Sequence, residues 1–100
     1  METVADVTRK IILGIANGLH LAPIARVVKS LSDLDCQVRI EFNGRKSDAR
    51  SASDLMLLAA THGAPLIVSA DGSDAEAAVE AVVAILDSPE PPREAPVRPR

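Results

Sequence analysis

Apolar positions recur with two different periods along the chain, and the switches between them lay out the elements. Thr8 to Ile15 is apolar and β-branched, with Ile11, Leu13 and Ile15 on one side, and predicts a strand ended by Asn17-Gly18. From Leu21 to about Leu34 the period is helical: Ile24, Val27, Val28 and Leu31 share a face, and Pro23 is tolerated in the first turn. Val38, Ile40 and Phe42 then alternate with Gln37, Arg39 and Glu41, a half-buried strand, and Asn43-Gly44 is a hairpin signal that places a short partner strand over about Lys46 to Arg50. Ser51-Ala-Ser-Asp54 has capping-box character ahead of Leu55, Leu58 and Ala59, a short helix for which Gly63 can supply the left-handed end. Ala64 to Asp71 predicts a fourth strand, closed by an Asp71-Gly72 turn. Ser73-Asp-Ala-Glu76 is a second capping box, before Ala75, Ala78, Val79, Val82 and Leu86 at helical spacing up to Asp87. The order β-α-β-β-α-β-α, with one-striped helices and alternating strands, predicts an α+β open-faced sandwich: a four-stranded antiparallel sheet with three helices on one face.

Composition narrows what such a domain does. In 100 residues, hydrophobics make up 47% but Phe42 is the sole aromatic, so the core must be aliphatic and base stacking on aromatic platforms is excluded. A net charge of −3 gives no global attraction to nucleic acid or to an anionic membrane. No apolar run reaches the roughly 18 residues of a membrane span, and the acidic start Met-Glu-Thr-Val-Ala-Asp has no apolar signal core; a cytoplasmic protein is expected. Cys36 stands alone, which excludes an internal disulfide or a multi-cysteine zinc site and reads as a buried structural thiol. Five of the seven prolines fall between Pro89 and Pro99, so one domain is expected over 1–88 and a flexible Pro-rich tail, with local polyproline II character, over 89–100.

Candidate chemistry concentrates where the first strand pattern gives way to the first helix pattern, in Gly18-Leu19-His20-Leu21-Ala22-Pro23. The first turn of a helix offers N–H groups without helical partners and the positive end of the dipole, so it favours a phosphate or carboxylate. Histidine is a poor choice for a plain N-cap, where Ser, Thr, Asp and Asn are preferred, so His20 points to a role other than capping. His62, just before Gly63, reads as a helix C-terminal residue facing the terminal carbonyls, with no catalytic or metal role. Arg45, Lys46 and Arg50 read as a solvated hairpin surface, and Arg26 as a solvated helix charge.

Several separated pieces in register resemble the HPr phosphocarriers of the bacterial phosphoenolpyruvate:sugar phosphotransferase system. They are Asn17-Gly-Leu-His20-x-x-Pro23 with its helix, Asn43-Gly44, Ala49-Arg50-Ser51 followed by Leu55-Met56, and Ser69-Ala-Asp-Gly72 before an alanine- and valine-rich last helix; together they cover roughly residues 5–87. The resemblance implies an HPr-like domain in which His20 accepts a phosphoryl group on Nδ1 from phosphorylated Enzyme I. It then passes the group to a sugar-permease acceptor domain or a regulatory protein. No cofactor or metal is implied, nor stand-alone turnover, and a monomer is expected. Backbone N–H groups of Leu21 and Ala22 are the candidates to stabilise the phosphoryl oxygens, since Pro23 has none.

Departures from the family's pattern keep a second reading open. The second residue after the histidine is normally arginine in HPr proteins and here is Ala22, which removes a cation beside the imidazole. Ser51 matches a position that a dedicated serine kinase modifies in many Gram-positive HPr proteins, while its local context also suits a helix N-cap. The larger apolar residues usual after that serine, a docking patch for enzymes, are replaced by Ala52, Ser53 and Asp54. The alternative is therefore a regulatory HPr-like protein that binds target proteins with altered or lost phosphotransfer, including one serving nitrogen or carbon regulation.

Overall fold

The computed structural model describes residues 6–87; the expected Pro-rich tail and the domain boundary at 88 lie outside the described residues. Seven elements follow in chain order: β1 (Asp6–Ile12), α1 (Leu21–Ser30), β2 (Gln37–Phe42), β3 (Arg45–Asp48), α2 (Ala52–Leu58), β4 (Pro65–Asp71) and α3 (Ala75–Leu86). The strands form one sheet in the order β1-β4-β2-β3, with every pair antiparallel. Alternation decides which face is covered. In β4, Leu66, Val68 and Ala70 are buried while Pro65 is exposed and Ile67, Ser69 and Asp71 are half-buried. Register carries that alternation across the sheet, setting Val38 beside Ala70 and Ile40 beside Val68 on the side where the helices pack. Onto these side chains α1 lays Ile24 and Val27, α2 lays Leu55 and Leu58, and α3 lays Ala78, Val79, Val82 and Leu86, all in one aliphatic core. The predicted α+β open-faced sandwich is the fold.

Element ends differ from the sequence expectations, in each case because a distant group intervenes. The first strand stops at Ile12, short of Ile15, because the register breaks just beyond it: Ala64 N–H turns to the Thr61 carbonyl at 2.9 Å, and Gly63 N–H takes the Leu13 carbonyl at 2.8 Å. Leu13 then donates to the Ala64 carbonyl at 2.9 Å and Gly14 to the Leu86 carbonyl at 2.8 Å. The first helix ends at Ser30, well before Leu34, and β3 spans Arg45–Asp48, short of Arg50. The Arg50 guanidinium accounts for both ends: it donates to the carbonyls of Leu31 (2.6 Å), Leu34 (2.6 Å) and Cys36 (2.9 Å), satisfying the turn that follows α1. Arg50 is thus a half-buried clamp, correcting its reading as a solvated charge, whereas Arg45 and Lys46 are exposed.

The second helix ends at Leu58 with Ala59 as its left-handed residue, so Gly63 is not its cap and His62, exposed four residues beyond, is not at its C-terminus. At α3 the expected capping box does not form. Asp74 is the N-cap without a side-chain cap bond; its carboxylate accepts the Asp35 N–H at 2.7 Å, and Ser73 turns to the Asp35 carboxylate at 3.3 Å. These bonds tie the α1–β2 connection to the β4–α3 turn. There Gly72, at φ +120°, lies so near that an added Cβ would fall 2.8 Å from the Cys36 Cα. Cys36, expected to be buried, is half-buried in this crossing.

Candidate functional site

His20 is the N-cap of α1, extended at φ −116° and ψ −174°, and its side chain makes no capping bond to the helix. The residue is half-buried, and its Nε2 is shielded from solvent. Its carbonyl takes the first helical bond, from Ile24 N–H at 3.0 Å. The N–H groups of Leu21 and Ala22 therefore lie in the first turn with no carbonyl of their own helix to bond, and Pro23 contributes none. No acidic side chain occupies this first turn, so nothing on the helix competes with an incoming anion for its positive end. Arg26 is exposed one turn further on.

The loop leading to His20 is seated on the connection after α2. Gly18, at φ +76°, is buried so close to this connection that a Cβ would meet the Ala60 carbonyl oxygen at 2.7 Å and the Thr61 Cα at 3.0 Å, which no side chain permits. Leu19 N–H donates to that same carbonyl at 2.9 Å. At the opposite end Arg50, just before α2, holds the carbonyls just after α1. The two helices thus run antiparallel, with the start of α1 beside the end of α2.

Ser51 is the N-cap of α2: its Oγ accepts the Asp54 N–H at 3.2 Å, while its own N–H goes to the Asp48 carbonyl at 3.0 Å, so only one half of the predicted box forms. It lies at the far end of α2 from His20, and the structure does not bring these two sequence candidates together. Ser47, buried in β3, donates to the Asp54 carbonyl at 3.1 Å and fixes the same turn to the sheet.

Sequence reasoning missed an exposed apolar group. Ala52 and Ser53 do weaken the start of α2, but Met56 (53% exposed) and Leu57 (66%) face solvent nearer its end, and Leu21 (62%) does so beside His20. The signal was the unbroken run Leu55-Met56-Leu57-Leu58: a helix with one buried stripe needs Leu55 and Leu58, and the two residues between them must point outward. A separate depression of about 620 Å³ is lined by Lys10, Ile12, Glu41, Pro65 and Ile67 among others and includes neither His20 nor Ser51.

Residues 7–88 match the family model for the PTS HPr component phosphorylation site. The chain belongs to the HPr family. Phosphocarrier protein HPr of Haemophilus influenzae is 38% identical over 71 residues, covering 71% of this chain and 84% of that protein. The crystal structure of an HPr phosphocarrier from Bacillus anthracis superposes with a TM-score of 0.78 at 32% identity, over 82% of this chain and 98% of that one. Crh, the Bacillus subtilis catabolite repression HPr, superposes at 0.62 with 30% identity, over 81% and 96%. This HPr chain is thus a phosphocarrier-family protein of the phosphotransferase system. No helix among its described residues is long and apolar enough to cross a membrane.

Proposed function

We propose that this HPr protein relays a phosphoryl group: His20 takes it from phosphorylated Enzyme I and delivers it to a sugar-permease acceptor domain or a regulatory protein. The observation that carries this reading is the half-buried histidine at the N-cap of α1, on a helix start whose first turn holds N–H donors and no carboxylate. Membership of the family implies Nδ1 as the nitrogen that attacks phosphorus, and the shielded Nε2 is compatible with it. The N–P bond forms as the donor's bond to phosphorus breaks, and the same steps run in reverse on the acceptor. Leu21 and Ala22 N–H groups stabilise charge on the phosphoryl oxygens, fixed in place before the reaction begins. Leu21, Met56 and Leu57 form the apolar contact for partners, which bind transiently to a monomeric carrier in the cytoplasm. Ser51 serves as a helix cap, and phosphorylation there would place a phosphate beside Asp54.

Ala22 favours a second reading, a regulatory protein with slowed or lost transfer, because it is exposed beside His20 and supplies no cation to the phosphoryl group. Phosphorus NMR of the protein with phosphoenolpyruvate and active Enzyme I separates the two. An acid-labile phosphohistidine signal, absent from His20→Ala, is expected for the carrier. Its absence, with the same Enzyme I charging another carrier, overturns the carrier reading and makes the regulatory reading the better one.

A further inference from the structure

Ala59 adopts φ 53° and ψ 35°, the left-handed helical region, where an L side chain crowds the backbone carbonyl and which glycine and asparagine alone visit freely. Among the described residues Asn43 is the other such non-glycine residue, and it occupies a hairpin turn that asparagine suits; Ala59 has no polar group to compensate. A residue stays in such a conformation only when its surroundings hold it there. Here they do. Ala59 N–H bonds back to the Met56 carbonyl at 3.2 Å, and the next residue, Ala60, is buried in the core with its carbonyl on Leu19 N–H at 2.9 Å. Beyond it Gly63 N–H reaches the Leu13 carbonyl at 2.8 Å. The backbone of His20 is therefore held from two sides, by the Ala60 carbonyl through Leu19 and by Ile24 N–H on its own carbonyl.

We infer that Ala59 is a positioning residue for His20. Its left-handed backbone turns the chain at the end of α2 so that Ala60 enters the core and its carbonyl meets Leu19 N–H; this contact fixes the backbone from which the His20 ring projects at the start of α1. Ala59 touches no reacting group and acts through Ala60 and Leu19. Its side chain is exposed, so substitutions there change backbone preference without displacing core atoms. The effect on rate rests on the phosphocarrier reading, whereas the effect on His20 geometry does not.

The test compares Ala59→Gly, which adopts this conformation freely, with Ala59→Val, whose branched Cβ opposes it most. Thermal melts establish folding, and NMR follows hydrogen exchange at the Leu19 amide and the His20 ring signals, beside phosphoryl uptake from phosphorylated Enzyme I. Ala59→Gly is expected to match the parent protein in all three. Ala59→Val is expected to melt cooperatively, exchange the Leu19 amide about tenfold faster and shift the His20 ring signals. Its maximal uptake rate is expected to fall about tenfold or more with little change in KM, because small misplacements of a reacting group are costly to rate. Should Ala59→Val not fold, Ala59→Leu, whose unbranched Cβ opposes the left-handed conformation less and whose side chain points to solvent, is read the same way. Unchanged Leu19 exchange and His20 signals in the folded variant overturn the inference, and so does an unchanged rate when those signals have moved. If the parent protein takes no phosphoryl group from an active Enzyme I, the carrier reading fails, and the exchange and ring signals alone decide whether Ala59 positions His20.

Discussion

At the residue scale the proposed phosphoryl site is a contest between what the backbone donors of Leu21 and Ala22 would supply and what the Ala22 side chain withholds. An arginine there would add charge-assisted bonds to the phosphoryl group, and Ala22 is exposed in the first turn, where arginine fits the helix without disturbing packing. Ala22→Arg should raise the uptake rate about tenfold, equivalent to about 1.4 kcal/mol in the barrier, and leave the melting temperature unchanged. Rapid-quench transfer from Enzyme I checks this, and an unchanged rate would remove the missing-cation argument. Ser51 predicts the opposite combination. Ser51→Ala removes the acceptor for Asp54 N–H and should cost about 1 kcal/mol, seen as a fall in melting temperature of about 4–8 °C, with Ser51→Asn recovering it. His20 was legible because its residue type contradicted its place, a histidine where a helix cap belongs. The Ala59 conformation was not, since alanine carries no signal for a left-handed turn and its neighbour Gly63 does.

At the element scale, periodicity gave each helix and strand its existence and its buried face, while contacts from elsewhere in the chain set where most of them end. Arg50 illustrates why. Read in its local run with Arg45 and Lys46 it is one more hairpin charge, but folding brings it under the C-terminal turn of α1, where its planar fork meets three carbonyls that a compact ammonium cannot serve together. Arg50→Ala should therefore destabilise the domain by about 2 kcal/mol in urea unfolding, and Arg50→Lys should recover only part of it. The loss should be reported first by faster amide exchange in residues 30–36, because the carbonyls of this turn lose their donor while the start of α1 keeps its contact with Ala60. Gly63 ending β1 at the Leu13 carbonyl and Asp35 diverting Asp74 from its capping role follow the same logic: each is a tertiary partner that local sequence does not name.

For the whole molecule, the fold class followed from the order of elements and the one-sided alternation of the strands, but the placing of β4 between β1 and β2 belongs to pairings 26–65 residues apart that no local pattern contains. That placing matters for function, since β4 and the connection before it carry the bed on which the His20 loop rests. It also separates two surfaces. The outer sheet face bears the alternating charges of β2, the Arg39–Asp71 ion pair at 3.2 Å and the exposed Ile12 of β1, whereas the exposed apolar side chains of Leu21, Met56 and Leu57 lie on α1 and α2. A carrier must bind both donor and acceptor, release both, and use one histidine for each; partner binding should then be uniform between ground and transition states and carried by side chains apart from the reacting nitrogen. Leu57→Ser tests this division. It should raise the KM for phosphorylated Enzyme I about three- to tenfold, as removal of one exposed apolar contact does, with the maximal rate unchanged and stability within about 0.5 kcal/mol. A fall in maximal rate with an unchanged KM would instead place Leu57 among the groups that orient His20, and the docking surface would have to be sought elsewhere on the molecule.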